Sequence, residues 1–456
     1  MSNTERLTDS FENNDSKCNS KIGICGFRNI GNTCYMNSIL QLLIHSKLIV
    51  NFLLHKSNPF VQENVQENNQ IDTGNNLSNK DKAEYLQYLE LSTINKFAER
   101  ERKKLKLSSD DEITLNKYEV YNHMENSLIN KLAEIINIII YKGNSCITPS
   151  LFKKIIDKKI PTLRGMGQQD SHELLNGFFD NLIEETCIDS EPTINNVPQS
   201  INEYVNYLHD LKKKINSQNN IEYKKMVIQE LNEYKKKNYD IINKYSGLNY
   251  MTNVFKKRRI SNLDTSSTGY NPFIFNLLTF TVDIYNCQEC SHEHCVYQYY
   301  TNLMLSVKPT LKECFEKLIE PEQIDRKCEL CKCDKSIKKT KIWRPGMTLF
   351  IELGRFTNLP NGMTCKNNSN VEIPHQLDIS DFCDNSMKTE KSLTYKYKLK
   401  GISNHLGYMG GGHYTADCLS IIDNKTWYHF DDSNVQQYID SNIDTSNAYV
   451  LLYEME

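Results

Sequence analysis

The chain has 456 residues, 39% hydrophobic and 24% charged, with a formal net charge of -3. This is the balance of a soluble globular protein, long enough for one large domain or two or three modules. The near-neutral charge excludes a general electrostatic attraction to nucleic acid or an anionic membrane, and no apolar run reaches the ~18 residues of a membrane span.

Residues 1–21 are polar, contain no apolar leader-like segment, and read as a disordered head. The fifteen cysteines are therefore expected to be reduced, in the cytoplasm or nucleus, and used for packing, metal ligation or catalysis. Gly26 to Leu43, GFRNIGNTCYMNSILQLL, runs a glycine-rich turn into Met36, Ile39, Leu40 and Leu43 at helical spacing, and the helix is expected to continue to about Leu54. Cys34 then opens a helix, where the macrodipole and free N–H groups favour a thiolate and lower its pKa. Asn29, Asn32 and Thr33 stand just upstream, where one of them could join the Cys34 amide in holding an oxyanion. A buried cysteine in a capped helix fits the same stretch.

Residues 56–122 are rich in Asn, Gln, Glu and Lys, include the duplication VQENVQEN, and read as a surface insertion. Helical stripes return at 128–141, with Leu132, Ile135, Ile136 and Ile139, and at 151–160 after Pro149. In GMGQQDSHELLNGFFDNLIEE, 165–185, six apolar residues from Leu174 to Ile183 share a helix face, which delivers QQDSHE at the N-terminal end, either to a cleft or simply as caps. A second Lys- and Asn-rich insertion covers 190–268, with Ile201, Val205, Leu208 and Ile215 spaced for a helical hairpin or coiled arm. KKRR at 256–259 reads as a solvated charge run rather than a nuclear address.

Beyond Pro272 the period becomes strand-like, at 275–285, 296–307, 348–353, 395–402, 413–419, 426–431 and 448–454. One helix marked by Leu311, Cys314, Phe315, Leu318 and Ile319 interrupts the strands. Helices first and largely antiparallel sheet afterwards make the expected fold class α+β.

Two C-x-x-C turns, Cys287/Cys290 and Cys328/Cys331, each offer a pair of thiolates, and together they complete a closed tetrahedral zinc site. With no open position the zinc is structural. His292, His294, Cys295 and Cys333 lie close enough to substitute, and four unligated thiols are the alternative. In GGGHYTA, 410–416, His413 enters a strand behind glycines that permit close backbone approach. Asp431 ends the adjoining strand in WYHFDDSNV, so a hairpin can set its carboxylate against the imidazole as orienter to base.

These stretches together resemble the ubiquitin-specific protease family of deubiquitinases. GFRNIGNTCYMNSILQLL is similar to its Cys box, GMGQQDSHELL to its second box, and GGGHYTA with WYHFDDSNV to its His box, in the family's order. The C-x-x-C pairs fall where that family carries zinc-bearing fingers. The resemblance implies a papain-like right hand: a helical thumb over 22–189 bearing the 56–122 insertion, β fingers over 271–340, and an antiparallel β palm over 341–456. It implies Cys34 as nucleophile, His413 as general base, Asp431 as orienter and Asn29 as oxyanion donor. Asp170 would contact ubiquitin's basic tail, while Gly411 and Gly412 line the channel for its Gly-Gly end. Asp432 would assist polarisation, and residues 405–411 would form a flanking loop. Glu352, Gly354 and the wording QQDSHELL depart from the commoner pattern without touching a proposed catalytic atom. The function implied is thiol-dependent hydrolysis at the C-terminal glycine of ubiquitin through an acyl-enzyme thioester. Ubiquitin and ubiquitinated proteins are the partners, with no catalytic cofactor, nucleic acid or membrane, and the insertions are places for a regulatory partner. A catalytically weak ubiquitin-binding scaffold and a protease for another Gly-Gly-ended modifier stand as alternatives.

Overall fold

The computed structural model describes residues 23–54, 127–142, 145–185, 188–189, 199–217, 221–256, 269–270, 276–358, 364–384, 394–408, 411–438, 443 and 445–456. The expected head, the 56–122 insertion and most of the KKRR run lie outside them.

The N-terminal half is helical. Strand β1 (Gly26–Phe27) leads to α1 (Cys34–His45) and α2 (Lys47–Leu54), followed by α3 (Leu128–Asn137), β2 (Cys146–Ile147), α4 (Ser150–Lys159) and α5 (Ser171–Glu185). Every residue of α1 is buried, because its apolar stripe faces α5 on one side and the main sheet on the other. The single helix expected to about Leu54 is instead broken at Ser46, which is extended at ψ 111, and its two halves bend by 79°. The break has a partner: Glu454 Oε1 accepts from Ser46 Oγ at 2.9 Å and from the Leu48 amide at 3.1 Å, supplying the cap that α2 needs at its start.

A short pair, β3 (Ile188–Asp189) with β4 (Gly269–Tyr270), brackets three helices, α6 (Gln199–Ser217), α7 (Ile221–Lys237) and α8 (Tyr239–Lys256). Among the described residues the arm thus has three helices rather than the two of a hairpin. Its third helix docks on sheet: Tyr297 Oη donates to the Asn243 carbonyl at 2.9 Å, and a Cβ on Gly247 would lie 2.7 Å from the Tyr297 ring.

Four antiparallel strands follow in the order β6 (Glu293–Tyr300), β5 (Thr279–Cys287), β9 (Lys335–Arg344), β8 (Glu322–Asp325). The stretch expected as one strand over 296–307 is two, β6 and β7 (Leu303–Ser306), which join different sheets. The helix α9 (Leu311–Ile319) is where its spacing put it, begun by a capping box of Thr310 and Glu313.

The larger sheet is built from β10 (Thr348–Gly354), β14 (Lys396–Tyr408), β15 (Gly411–Leu419), β16 (Trp427–Asp431), β17 (Asn434–Gln437) and β18 (Ala448–Met455), in the order β17-β16-β15-β14-β18-β10-β7, with β13 (Gln376–Asp378) added on β14. All its pairings are antiparallel except β10 with β7. A side hairpin joins β11 (Phe356–Asn358) to β12 (Thr364–Lys366). Residues 405–408, expected in a flanking loop, instead continue β14, because His405, Leu406, Gly407 and Tyr408 keep their ladder with Tyr414, His413, Gly412 and Gly411.

Candidate active site and metal centre

Cys34 is the first residue of α1, 5% exposed, in the crevice where that helix packs along β15. Its thiol is pushed up from the ordinary value by burial, with the Asp432 charge adding to the effect; the backbone of Tyr414 opposes. The expected lowering at the helix start is therefore reversed in the free protein, since desolvation outweighs the amide groups around the sulfur.

His413 and Asp431 come together through the hairpin. Ala416 pairs with Phe430, so continuing the register sets Asp431 opposite Thr415, with His413 two residues on along the same face. Their contact is His413 Nε2 to Asp431 Oδ1 at 2.6 Å. The β16–β17 turn that follows holds Asp432 at φ 51, and the Asp432 carbonyl accepts from the Phe27 amide at 2.9 Å. A Cβ at Gly26 would sit 2.7 Å from the Ser433 carbonyl, so glycine is needed there for the turn to lie against β1.

Asp432 ties the loop before Cys34 and helix α1 to the β16–β17 turn. Its carboxylate accepts from Asn29 Nδ2 at 2.9 Å and from Asn37 Nδ2 at 2.7 Å. Asn29 Oδ1 in turn accepts from the amides of Gly31 and Thr33, each at 3.1 Å, which ties the loop before Cys34 into a fixed turn. One Nδ2 proton of Asn29 is committed to Asp432 and the other is left for a ligand. Asn37 was not singled out from the sequence, although a buried asparagine inside the apolar stripe of α1 was its signal.

Asp170 lies at the start of α5, its carboxylate accepting from the His172 amide at 2.7 Å and from Tyr449 Oη at 2.9 Å. Burial pushes its carboxyl up, against these hydrogen bonds. Glu352 stands behind: its Oε1 is 3.3 Å from Tyr449 Oη and its Oε2 is 2.8 Å from His172 Nε2. Although burial works against it, the Glu352 and Asp170 carboxylates push the His172 imidazole up. Gly411 and Gly412 open β15, and the Gly412 peptide is bonded on both its amide and carbonyl by the Gln168 side chain, at 2.8 and 3.0 Å.

In the other sheet, at the end of the β5–β9 ladder, the two C-x-x-C turns meet. Cys287 Sγ is 3.4 Å from Cys331 Sγ, Cys290 Sγ is 3.6 Å from Cys328 Sγ, and all four sulfurs lie within 4.8 Å of one another. These separations are far beyond a disulfide's ~2.05 Å and close to the roughly 3.8 Å edge of a tetrahedron with ~2.3 Å zinc–sulfur bonds. Each turn is made the same way: the Ser291 amide bonds the Cys287 carbonyl at 3.0 Å and the Lys332 amide the Cys328 carbonyl at 3.1 Å, with Ser291 at φ 54 and Lys332 at φ 65. An amide hydrogen bond from Cys290 draws the Cys287 thiol down to about 6. The four-cysteine set fits a metal ion. Among the described residues, His292, His294, Cys295 and Cys333 are not part of it.

The family model for ubiquitin carboxyl-terminal hydrolase matches residues 25–453. A probable ubiquitin carboxyl-terminal hydrolase of Acanthamoeba polyphaga mimivirus is 27% identical over 94% of this chain and 90% of its own. Ubiquitin carboxyl-terminal hydrolase 2 of Bos taurus is 24% identical over 95% of this chain, which spans 55% of that relative's length. The solved module of Ubp8, Sgf11, Sus1 and Sgf73 bound to ubiquitin aldehyde aligns over 96% of this chain and 71% of the matched chain, with a TM-score of 0.54 and 17% identity, a likeness of fold.

Proposed function

The chain belongs to the ubiquitin carboxyl-terminal hydrolase family of cysteine-type thiol peptidases, and from that premise we propose that it hydrolyses isopeptide or peptide bonds at the C-terminal glycine of ubiquitin. The observation that carries the reading is the 2.6 Å contact of His413 Nε2 with Asp431, beside the helix that begins at Cys34. With Asp431 accepting at Nε2, the imidazole proton sits on Nε2 and the opposite nitrogen, Nδ1, is the basic one. Burial favours the protonated form of the Cys34 thiol, and in attack His413 Nδ1 takes its proton as sulfur adds to the glycine carbonyl. The Cys34 amide and the uncommitted Nδ2 proton of Asn29 receive the oxyanion. Collapse of the tetrahedral adduct expels the lysine amine, protonated by His413, and leaves a thioester on Cys34. Water deprotonated by His413 then cleaves the thioester, releasing the ubiquitin carboxylate and restoring the thiol.

In this reading the helices through α5 act as thumb, the larger sheet as palm and the four-stranded sheet as fingers that cradle the ubiquitin globule. The tail enters beside β15 past Asp170, Gly411 and Gly412. Zinc at Cys287, Cys290, Cys328 and Cys331, bound as thiolates, ties the two finger turns together and, with four protein ligands, contributes folding free energy rather than chemistry.

Cys34→Ala is expected to abolish cleavage of a fluorogenic amide at the ubiquitin C-terminus while retaining ubiquitin binding, and His413→Ala to come close to it. Full activity in Cys34→Ala ends the proposal. Electrophilic probes built on ubiquitin and on other Gly-Gly-ended modifiers identify the substrate by which of them labels Cys34.

A further inference from the structure

We infer that Gln168 is a placeholder for substrate backbone: in the free enzyme its side-chain amide occupies the Gly412 peptide groups with which the extended Gly-Gly tail pairs on binding. The inference rests on the hydrolase reading above, but its starting point is sheet topology. On the β16 side, pairing of β15 begins only at Ala416, and Tyr414 and Thr415 are buried, so the stretch from Gly411 to His413 presents an open edge there. On its other side Gly412 lies opposite Gly407 of β14. An open edge of this kind is a template for an added strand, and it adjoins His413.

Gln168 satisfies that edge as a strand residue does. Its Oε1 accepts from the Gly412 amide at 2.8 Å and its Nε2 donates to the Gly412 carbonyl at 3.0 Å. This is the reciprocal exchange of a hydrogen-bonded antiparallel pair, with a carboxamide standing in for a peptide unit. An incoming peptide can replace it without leaving either Gly412 group unpaired.

The residues that carry Gln168 lie across the way to Cys34. The Met166 carbonyl accepts from Asn32 Nδ2 at 2.8 Å, and Met166 Sδ is 3.0 Å from where a Gly31 Cβ would be. Residues 166–168 therefore run from the loop before the nucleophile to the strand carrying the base. Met166 itself is 64% exposed, so little packing holds the strap down. Gly165, at φ 98 with nothing within 4 Å of a built Cβ, supplies a hinge that crowding does not require. The tail displaces the Gln168 amide, and the strap swings on that hinge.

Two variants separate the hydrogen bonds from the bulk: Gln168→Ala removes both, and Gln168→Met removes the bonds while keeping the length. Both are expected to lower KM for the ubiquitin C-terminal amide by about three- to tenfold, the scale of one or two exposed hydrogen bonds. Amide exchange at Gly412 in the free full-length protein is expected to be slow in the wild type and faster in both variants. An unchanged or raised KM in both variants, or Gly412 exchange that the variants leave unaltered, overturns the inference. Failure of the wild type to cleave the ubiquitin amide is a different result: it removes the hydrolase reading, and the exchange measurement, made without ubiquitin, still reports whether Gln168 covers the edge.

Discussion

At the catalytic corner the partners come from opposite ends of the chain: Asn29 bonds Asp432 across 403 positions and Asn37 bonds it across 395. At the four-cysteine site each half is a turn of a few residues, and the two turns repeat one design down to a left-handed residue after the second cysteine. The corner is held by burial, with α1 enclosed between α5 and the main sheet and its polar groups tied to one another. The four-cysteine site lies at the end of the β5–β9 ladder, where Cys287 pairs with Ser336; Cys290 and Cys331 are exposed, and beyond that ladder the four sulfurs are what bring the two turns together. The site assembled from distant residues thus rests on the core that holds it, whereas the one assembled from local turns at a sheet end brings together four thiols that fit a metal ion.

That contrast breaks first if the metal is dispensable. Removing zinc with a chelator, or Cys328→Ser, is expected to cost several kcal/mol of apparent stability, out of the ~10 kcal/mol that structural zinc can supply, and to lower folded yield before it touches chemistry. Metal content and thermal unfolding measured side by side check this, and a metal-free protein of unchanged stability contradicts it. Next in size, Asp431→Ala is expected to lower kcat on the order of 100-fold, less than His413→Ala, because the Asp432 carboxylate lies within 4.8 Å of both groups and can orient the ring in part.

Asp432→Ala tests how the corner is held. It takes from the buried Asn37 amide its 2.7 Å acceptor and leaves the Phe27 carbonyl at 3.3 Å, and a loss of about 1 kcal/mol in denaturant unfolding is expected. A roughly tenfold or larger drop in kcat should accompany it as Asn29 loses its anchor.

A separate effect, on stability alone, is set by pH. His45, inside α1, is pushed down to about 4 from 6.5 by burial. The unfolded chain takes up a proton there that the native state refuses, so its contribution is full above about pH 6.5 and is lost as pH falls to about 4. The total is about 3 kcal/mol. Urea titrations across that window, with His45→Gln flattening part of the slope, check it.

Much of this was legible in residue patterns. The α9 stripe was placed well, as was the strand at 448–454, because an amphipathic period reports which face is buried. Strand β9, KSIKKTKIWR, went unseen although it is central to the four-stranded sheet, since its lysines blur the alternation where both faces are partly wet. The break at Ser46 was invisible because its cap, Glu454, is 408 residues away.

By itself the sequence determined the cast of the site: a cysteine opening an amphipathic helix, a histidine behind glycines, an aspartate ending the adjoining strand, and two matching cysteine turns. Each is a local pattern, set by periodicity or by turn chemistry over a few residues. Only the tertiary structure decided the rest. It showed that desolvation reverses the helix-start effect on Cys34, that Asp432 anchors Asn29 and Asn37, and that Gln168 covers the open edge at Gly412. Burial depth and strand-edge availability depend on which segments pack together, and that information resides in contacts hundreds of residues apart.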